Sequence, residues 1–179
     1  MARSGAAAVV EFFCFHRDRP GSMPLRRQLL EAHWSYMDGF ELIARGPTFT
    51  DGVLTGSVHV VEVPDAAAAR AFAFEEPVYQ AGGYRDVLVR RWRNVLGRTM
   101  WDSPGGGGHL VLGFGAGEAV DLVPPRPEGL VAYGPLLSDD GTAWLGTAAL
   151  VRAAEPASVL SADRYDAVEV HEWEPGGRR

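Results

Sequence analysis

The sequence contains no lysine, and all 17 of its basic residues are arginine. A lysine amine is needed to form a Schiff base, to hold pyridoxal phosphate as an internal aldimine, or to complete a P-loop, and a guanidinium cannot replace it. This one absence therefore excludes several large classes of enzyme.

Cysteine and long apolar runs are also scarce. The single cysteine, Cys14, excludes an internal disulfide and any multi-cysteine metal site, and its apolar neighbours in FFCF indicate a packed thiol. No apolar run approaches the roughly 20 residues of a membrane helix, and MARSGAAAVVEFF continues into strand-like sequence without a signal-peptide cleavage site. We expect a cytoplasmic protein with no membrane partner.

A nucleic-acid partner is not expected either. The net charge is −6, so the chain as a whole has no attraction for a phosphate backbone. Its one dense basic cluster, Arg90, Arg91 and Arg93, is interrupted by Trp92 at strand spacing. With 46% hydrophobic residues, 179 residues suffice for one ordinary domain or two small ones.

Hydrophobic patterns predict an α+β unit in the first half of the chain. The predicted elements are a strand at 7–15, a helix from the N-cap Ser22 to Asp38 with Pro24 in its first turn, strands at 41–46 and 57–63 around the turn TDG, a helix capped by Asp65, a loop at 75–84 (EEPVYQAGGY) and a strand at 84–93. The order β-α-β-β-α-β is the ferredoxin-like arrangement.

The second half of the chain resembles the first. SPGGGG, residues 103–108, predicts a linker because it is too rich in glycine to form a packed element. Residues 42–63 align with residues 130–153 through two strands and a Gly-Pro turn, which predicts a tandem repeat. Two aromatic residues also align: Tyr84 with Tyr165, and Trp92 with Trp173. The predicted domains are a first repeat at 1–102, the linker, and a degenerate second repeat at 109–179.

Two such repeats predict a closed barrel. An open four-stranded sheet with helices on one face leaves its other face uncovered, and two such sheets can cover each other. The expected fold is therefore α+β, with two ferredoxin-like repeats forming an intramolecular dimeric α/β barrel. We expect a monomer with this fused barrel, or a loose homodimer. In the second repeat, the proline-rich AGEAVDLVPPRPEG replaces the first helix.

His33 stands within LLEAHWSYM, where the neighbours at helical spacing are apolar. From the pattern alone it is either a core histidine or a functional one. The second repeat has no histidine at the corresponding position.

Residues 8–94 resemble the YCII-related (YciI-like) proteins, which are dimeric α/β barrels. The resemblance rests on AHWSYM (32–37), ARGP (44–47), GS (56–57) and EPVYQAGGY (76–84). In that family a histidine on the first helix and an aspartate of an Asp-Pro turn form a dyad, which implies catalytic roles for His33 and for Glu76, with Glu75 as the neighbouring alternative. The arginine often found three residues before the histidine is Leu30 here.

The resemblance implies a cofactor-independent lyase or isomerase acting on a small molecule. A carboxylate that orients an imidazole and stabilises its protonated form provides general acid–base catalysis worth about 10²–10⁴-fold. The candidate substrate-binding residues are Tyr36, Gly46, Pro47 and Tyr79, which belong to these motifs, and His16, which follows the first strand and lies either at the mouth of a cleft or in a solvated loop.

No cofactor or metal is expected. His59 and His171 have strand positions on sheet faces, His109 adjoins the linker, and no histidine pair has the H-E-x-x-H spacing. GFGAGE (113–118) has a glutamate where a dinucleotide loop needs glycine or alanine, and no helix follows it. Trp92, Trp144 and Trp173 are typical of barrel packing. Two other functions stay open: a non-catalytic ligand-binding protein, and a cofactor-free or haem-dependent oxygen enzyme of similar architecture.

Overall fold

A computed structural model of the protein describes residues 8–119, 122–124 and 128–178. The first half has the predicted order of strands and helices, except that the first predicted helix is divided into two and a short helix lies in the predicted loop at 75–84. Its elements are β1 (Val10–Asp18), α1 (Met23–Gln28), α2 (Leu30–Met37), β2 (Glu41–Thr50), β3 (Val53–Val63), α3 (Ala66–Phe74), α4 (Pro77–Gln80) and β4 (Tyr84–Trp92).

The second half contains four strands, and its described residues form no α-helix. The strands are β5 (Gly108–Glu118), β6 (Leu130–Leu137), β7 (Ala143–Val151) and β8 (Ala167–Trp173), with 3-10 turns at Met100–Asp102, Pro156–Val159 and Ala162–Arg164. GFGAGE is part of β5. Within the described ranges, no helix is long and apolar enough to cross a membrane.

A capping side chain explains where α3 begins, but not where α1 begins. Asp65 caps α3 as predicted, because its carboxylate accepts a hydrogen bond from the Ala68 N–H at 2.8 Å. Ser22 precedes α1, but its hydroxyl donates to Asp18 instead of capping the helix. The prediction of one continuous helix to Asp38 is wrong, since Leu29 leaves the helical conformation.

The predicted loop at 75–84 is wrong in part. Pro77–Gln80 forms the short helix α4, because Pro77 fits the first turn, where its missing N–H costs nothing. Glu76 caps α4 through a hydrogen bond from the Tyr79 N–H at 2.8 Å. This cap fixes the position of the Glu76 carboxylate.

The eight strands close into an antiparallel barrel in the order β1-β3-β2-β8-β5-β7-β6-β4. The first half contributes β4-β1-β3-β2, and the second half contributes β8-β5-β7-β6. The two sheets meet at short seams. Thr48 pairs with Trp173 at one seam, and Leu136 pairs with Trp92 at the other.

Apolar side chains fill the barrel and also cover part of its outer face. The interior cluster includes Phe13, Phe15, Leu110, Leu112, Trp92 and Trp173. On the outer face of the first sheet, Phe12 and Cys14 of β1 pack in one cluster with Met37 of α2 and Phe72 of α3. Burial raises the pKa of the Cys14 thiol to about 12, as expected of a packed cysteine.

The prediction of turns at the two Gly-Pro pairs is wrong, because Gly46 and Pro47 lie within β2, and Gly134 and Pro135 lie within β6. Both pairs lie at a seam of the barrel. A Cβ atom at Gly46 would overlap the Glu174 carbonyl and the Trp173 indole, and one at Gly134 would overlap the Arg93 carbonyl and the Trp92 indole. Each glycine therefore permits the close approach of the neighbouring sheet.

Candidate active site

A buried hydrogen bond joins α2 to the start of α4. His33, 9% exposed on α2, places its Nδ1 atom 2.7 Å from Oε1 of Glu76, which is fully buried. The other carboxylate oxygen of Glu76 accepts from the Tyr79 N–H. Glu75 is exposed, so Glu76 is the carboxylate that contacts His33.

Electrostatics assign the hydrogen to His33. Burial raises the pKa of Glu76, but hydrogen bonds from His33 and from the backbone of Tyr79 and Val78 outweigh burial and bring this pKa below its ordinary value. An ionised carboxylate can only accept hydrogen bonds, so Nδ1 of His33 is the donor. The second ring nitrogen, Nε2, is then the one available to a substrate.

Two further histidines lie beside His33 on the outer face of the first sheet. The ring centroid of His59 is 5.3 Å from that of His33 and 5.5 Å from that of His16. Burial lowers the pKa of His16 to about 4 and lowers that of His59 well below its ordinary value, so both imidazoles are neutral at pH 7. Nδ1 of His16 and Nδ1 of His59 have no hydrogen-bond partner among the described residues.

Two arginines also face this region. Arg26 donates to both oxygens of Asp18, at 2.8 and 3.0 Å, and to the Ser57 hydroxyl at 2.8 Å. Arg45 on β2 is only 2% exposed, and it lies opposite His59 in the pairing of β2 with β3. It donates to the Arg178 carbonyl at 3.4 Å.

Two adjoining cavities meet at His33, and together they are called the cleft. The polar compartment, of about 190 Å³, has His59, Arg45 and Ser57 in its wall. The apolar compartment has a volume of about 260 Å³. Its apolar lining residues are Met23, Leu30, Pro47, Phe49, Leu54 and Val78. This is enough space for a small molecule at the imidazole of His33.

The fold and the cleft agree with a comparison of the sequence with known families. Residues 10–93 match the sequence profile of the YCII-related domain. The match covers a little under half of the chain and includes both His33 and Glu76. The second half of the barrel lies outside it. No curated protein matches the chain.

Three solved structures are similar to the chain. The first is 5-chloro-2-hydroxyhydroquinone dehydrochlorinase (TftG) from Burkholderia phenoliruptrix AC1100, in complex with 2,5-dihydroxybenzoquinone, at 28% identity over 47% of this chain and 94% of that chain, with a TM-score of 0.43. A proposed monooxygenase from Fusobacterium nucleatum is 7% identical, and the match covers 94% of this chain and 93% of that chain, with a TM-score of 0.50. An anthrone oxidase-like protein is 9% identical, and the match covers 98% of this chain and 94% of that chain, with a TM-score of 0.47. The likeness to the Fusobacterium protein shows a shared fold that extends over both halves.

The structure separates the residues predicted to bind substrate. Gly46 and Pro47 line the cleft. Tyr36 and Tyr79 do not line it. The Tyr36 hydroxyl donates to the Phe72 carbonyl at 3.0 Å, and the Tyr79 ring packs on that of Phe74.

His16 differs from both sequence-based alternatives. It lies within β1 and is fully buried, so the prediction of a solvated loop or a cleft mouth is wrong. Its Nε2 atom donates to the Ala73 carbonyl at 2.9 Å, which ties β1 to α3. His16 therefore holds β1 against α3 and packs beside His59.

Sequence reasoning missed His59 and Arg45 as cleft residues. His59 was expected on a sheet face, which is correct, but that face lies under the helices and beside His33. Arg45 stands within the quoted ARGP motif without having been singled out. The alternation of polar and apolar residues at the start of SVHVVEV, residues 57–63, is a signal for the face of His59, but not for its neighbours.

The remaining candidates lie away from the cleft. His171 contacts Glu169 at 3.1 Å and packs against Phe15 of the barrel interior. Trp92 and Trp173 are buried in the same interior, as expected of packing residues. In the part of the chain that the structure describes, no group of three or more His, Cys, Asp or Glu residues is placed to hold a metal ion.

Proposed function

We propose that the protein is a cofactor-independent lyase or isomerase of a small molecule, with His33 as general acid and base and Glu76 as its orienting partner. The observation that carries the proposal is the 2.7 Å hydrogen bond between them, in which a fully buried carboxylate holds an imidazole at the wall of a cleft. The family of the first half supports the same residues.

The geometry suits proton transfer at carbon. Nε2 of neutral His33 removes a proton from a carbon next to an activating carbonyl, and the Glu76 carboxylate stabilises the resulting imidazolium. The imidazolium then returns the proton to another carbon in an isomerisation, or to a leaving group in an elimination. Such a pair contributes about 10²–10⁴-fold, which is sufficient when the substrate is already activated.

The test compares small-molecule extracts of the host after incubation with wild-type protein, His33→Ala and the control His171→Ala. A metabolite that wild type and the control consume, and that His33→Ala leaves intact, supports the proposal and identifies the substrate. Equal consumption by His33→Ala would overturn the role of His33. Glu76→Gln should slow the same reaction, because a neutral amide stabilises the imidazolium less well.

A second candidate function is non-catalytic binding of a small molecule. It is favoured by the helix cap that Glu76 provides to α4, since this carboxylate has a structural task whether or not a reaction occurs. Retention of the same unaltered compound by wild type and His33→Ala through gel filtration would support this function. That result contradicts catalysis only if neither protein converts the compound.

We also propose that the barrel consists of two copies of one unit, residues 1–102 and 109–179, joined by the linker at 103–108. Two observations support this proposal. The strands of both sheets follow the same order, and each Gly-Pro pair packs against a tryptophan of the other sheet. A chain that supplies both sheets needs no second copy to cover them, so we propose a cytoplasmic monomer.

A further inference from the structure

Arg45 is a buried cation that forms no direct ion pair in the described ranges. Its side chain is almost inaccessible to solvent, and the nearby carboxylate of Asp38 attracts it without contacting it. Arg26, which lines both compartments of the cleft, is compensated by two hydrogen bonds to Asp18. A guanidinium removed from water is costly unless an anion or several acceptors replace the lost hydration, and Arg45 has one acceptor at 3.4 Å.

The surroundings of Arg45 favour an anion on the side of the polar compartment. There its neighbours are the neutral His59, the Ser57 hydroxyl and His33, none of which is an anion. On its other side lies a groove of about 490 Å³ that carries the carboxylates of Asp38 and Glu41. Asp38 attracts the guanidinium from that side, and both carboxylates would repel a second anion there, so a further anion fits only on the side of the cleft.

The apolar compartment restricts the rest of such a ligand. Leu30, Phe49 and Leu54 offer no hydrogen bonds from their side chains, and the volume of about 260 Å³ admits a body of roughly one ring. His33 borders both compartments. A ligand that spans them places the bond between its anionic group and its apolar body next to the imidazole.

We propose that Arg45 binds a carboxylate of the substrate, and that the substrate is a small carboxylic acid with an apolar, ring-sized body. A planar guanidinium matches the two oxygens of a carboxylate in a bidentate pair. The inference rests on the proposed function for the position of the reacting carbon, but binding of the acid does not depend on catalysis. Gly176 and Gly177 complete the wall beside the guanidinium.

The first experiment uses benzoate as the probe and benzamide as its neutral counterpart, with binding measured by calorimetry. We expect wild type to bind benzoate, Arg45→Met to bind it about 10-fold or more weakly, and benzamide to bind weakly to both. The control is Arg70→Met, which removes an exposed arginine paired with Asp139 and should leave benzoate binding unchanged. Equal affinity of wild type and Arg45→Met, or no benzoate binding to wild type, would overturn the proposal.

Thermal unfolding separates a binding role from a structural one. Without ligand, Arg45→Met should unfold at the same temperature as wild type or higher, because the substitution leaves no buried anion unpaired. Benzoate should raise the unfolding temperature of wild type and not that of Arg45→Met. If benzoate stabilises Arg45→Met as much as wild type, the anion binds elsewhere and the proposal fails.

His33→Ala distinguishes this proposal from the proposed function. It keeps Arg45, so its loss of benzoate affinity should be smaller than that of Arg45→Met. If His33→Ala retains more benzoate affinity than Arg45→Met and also consumes the identified metabolite, the proposed function fails while the carboxylate site stands. If wild type consumes an uncharged metabolite and ignores benzoate, the proposed function stands and the carboxylate site fails.

Discussion

The two halves of the barrel share a strand order but differ on their outer faces. When Gly46 and Pro47 are matched to Gly134 and Pro135, the registers of the two sheets correspond: Pro47 lies opposite Ser57, and Pro135 lies opposite Thr147. The barrel interior is formed by side chains of both sheets. The halves are therefore most alike where they contact each other.

The outer faces differ at the positions that form the cleft. His59, opposite Arg45 in the first half, corresponds to Ala149, opposite Tyr133, in the second. His16 lies opposite Ser57, and at the corresponding position Gly113 lies opposite Thr147. The two histidines of the first half are thus replaced by small residues in the second, and Arg45 is replaced by a tyrosine.

Apolar side chains occupy the space that these small residues leave. A Cβ atom at Gly113 would overlap both Tyr165 and Leu160, so the ring and the leucine side chain lie directly on the strand. Leu160 and Val159 belong to a cluster with Val111 and Leu130 on this outer face. The comparison teaches that closing the barrel requires the contacts between the Gly-Pro pairs and the tryptophans. The cleft, in contrast, requires the helices and the side chains of His33, Arg45 and His59.

The largest expected effect tests where the halves are alike. Gly46→Ala and Gly134→Ala should each destabilise the protein by more than about 4 kcal/mol, because each Cβ would overlap a backbone carbonyl of the neighbouring sheet. The matched control is Gly117→Ala, where the Cβ has room and the change should be under about 1 kcal/mol. Urea unfolding measures all three. If one substitution lowers the free energy of unfolding only slightly and the other lowers it strongly, the two seams are not equivalent.

The next effect tests the polar contact that the second half lacks. Glu76→Ala leaves His33 without its partner and removes the cap of α4, so we expect a loss of about 3–5 kcal/mol in the free energy of unfolding. Glu75→Ala, at the exposed neighbour, should change it by less than about 0.5 kcal/mol. Similar unfolding midpoints of the two variants in urea would show that the buried hydrogen bond contributes little.

The third effect is a dependence on pH that arises from a buried histidine of the first half. Unfolded His16 gains a proton near pH 6.5, whereas the folded protein keeps it neutral to about pH 4. Between these values the unfolded state binds more protons, so stability falls as the pH falls, by about 3 kcal/mol in total for this residue. Below about pH 4 its contribution no longer changes.

His16→Gln isolates this dependence, because glutamine keeps a donor for the Ala73 carbonyl and does not titrate. Unfolding free energies of wild type and the variant, measured in urea from pH 7 to pH 4, should diverge on acidification, with the wild type losing more. Parallel curves would mean that His16 titrates normally in the folded protein.

The smallest effect concerns a buried polar pair in the second half. Thr147 and Tyr165 share a hydrogen bond at 2.7 Å, and Thr147 is fully buried. Tyr165→Phe should cost about 1–2 kcal/mol because it leaves the threonine hydroxyl unpaired. The double variant Thr147→Val with Tyr165→Phe should recover part of that loss in the same urea assay. If the double variant is less stable than Tyr165→Phe alone, the pair contributes through packing instead.

Much of the fold could be predicted from local patterns in the sequence. The strands of the first half, the cap at Asp65 and the packing of Cys14 follow from alternation, turn residues and apolar neighbours. The break at Leu29 and the helix at Pro77–Gln80 could not, because tertiary contacts decide between short competing conformations.

The candidate site was predictable only in part. His33 and Glu76 follow from motifs that stand in the printed sequence. The neighbourhood of Arg45 does not, because the pairing of β2 with β3 shifts between Thr48 and Phe49. Counting back from the pair of Phe49 with Leu54 would set Arg45 opposite Val58, on the face that points into the barrel, instead of opposite His59.

The sequence by itself determined the strands, the family of the first half, the absence of lysine chemistry and the two residues of the central hydrogen bond. Only the tertiary structure decided that His16 is buried, that His59 lies beside His33, and that Arg45 forms no direct ion pair. The physical reason is that these properties depend on strand register and on residues far apart in the chain, such as His33 and Glu76, whose contact forms only when the helices pack on the sheet.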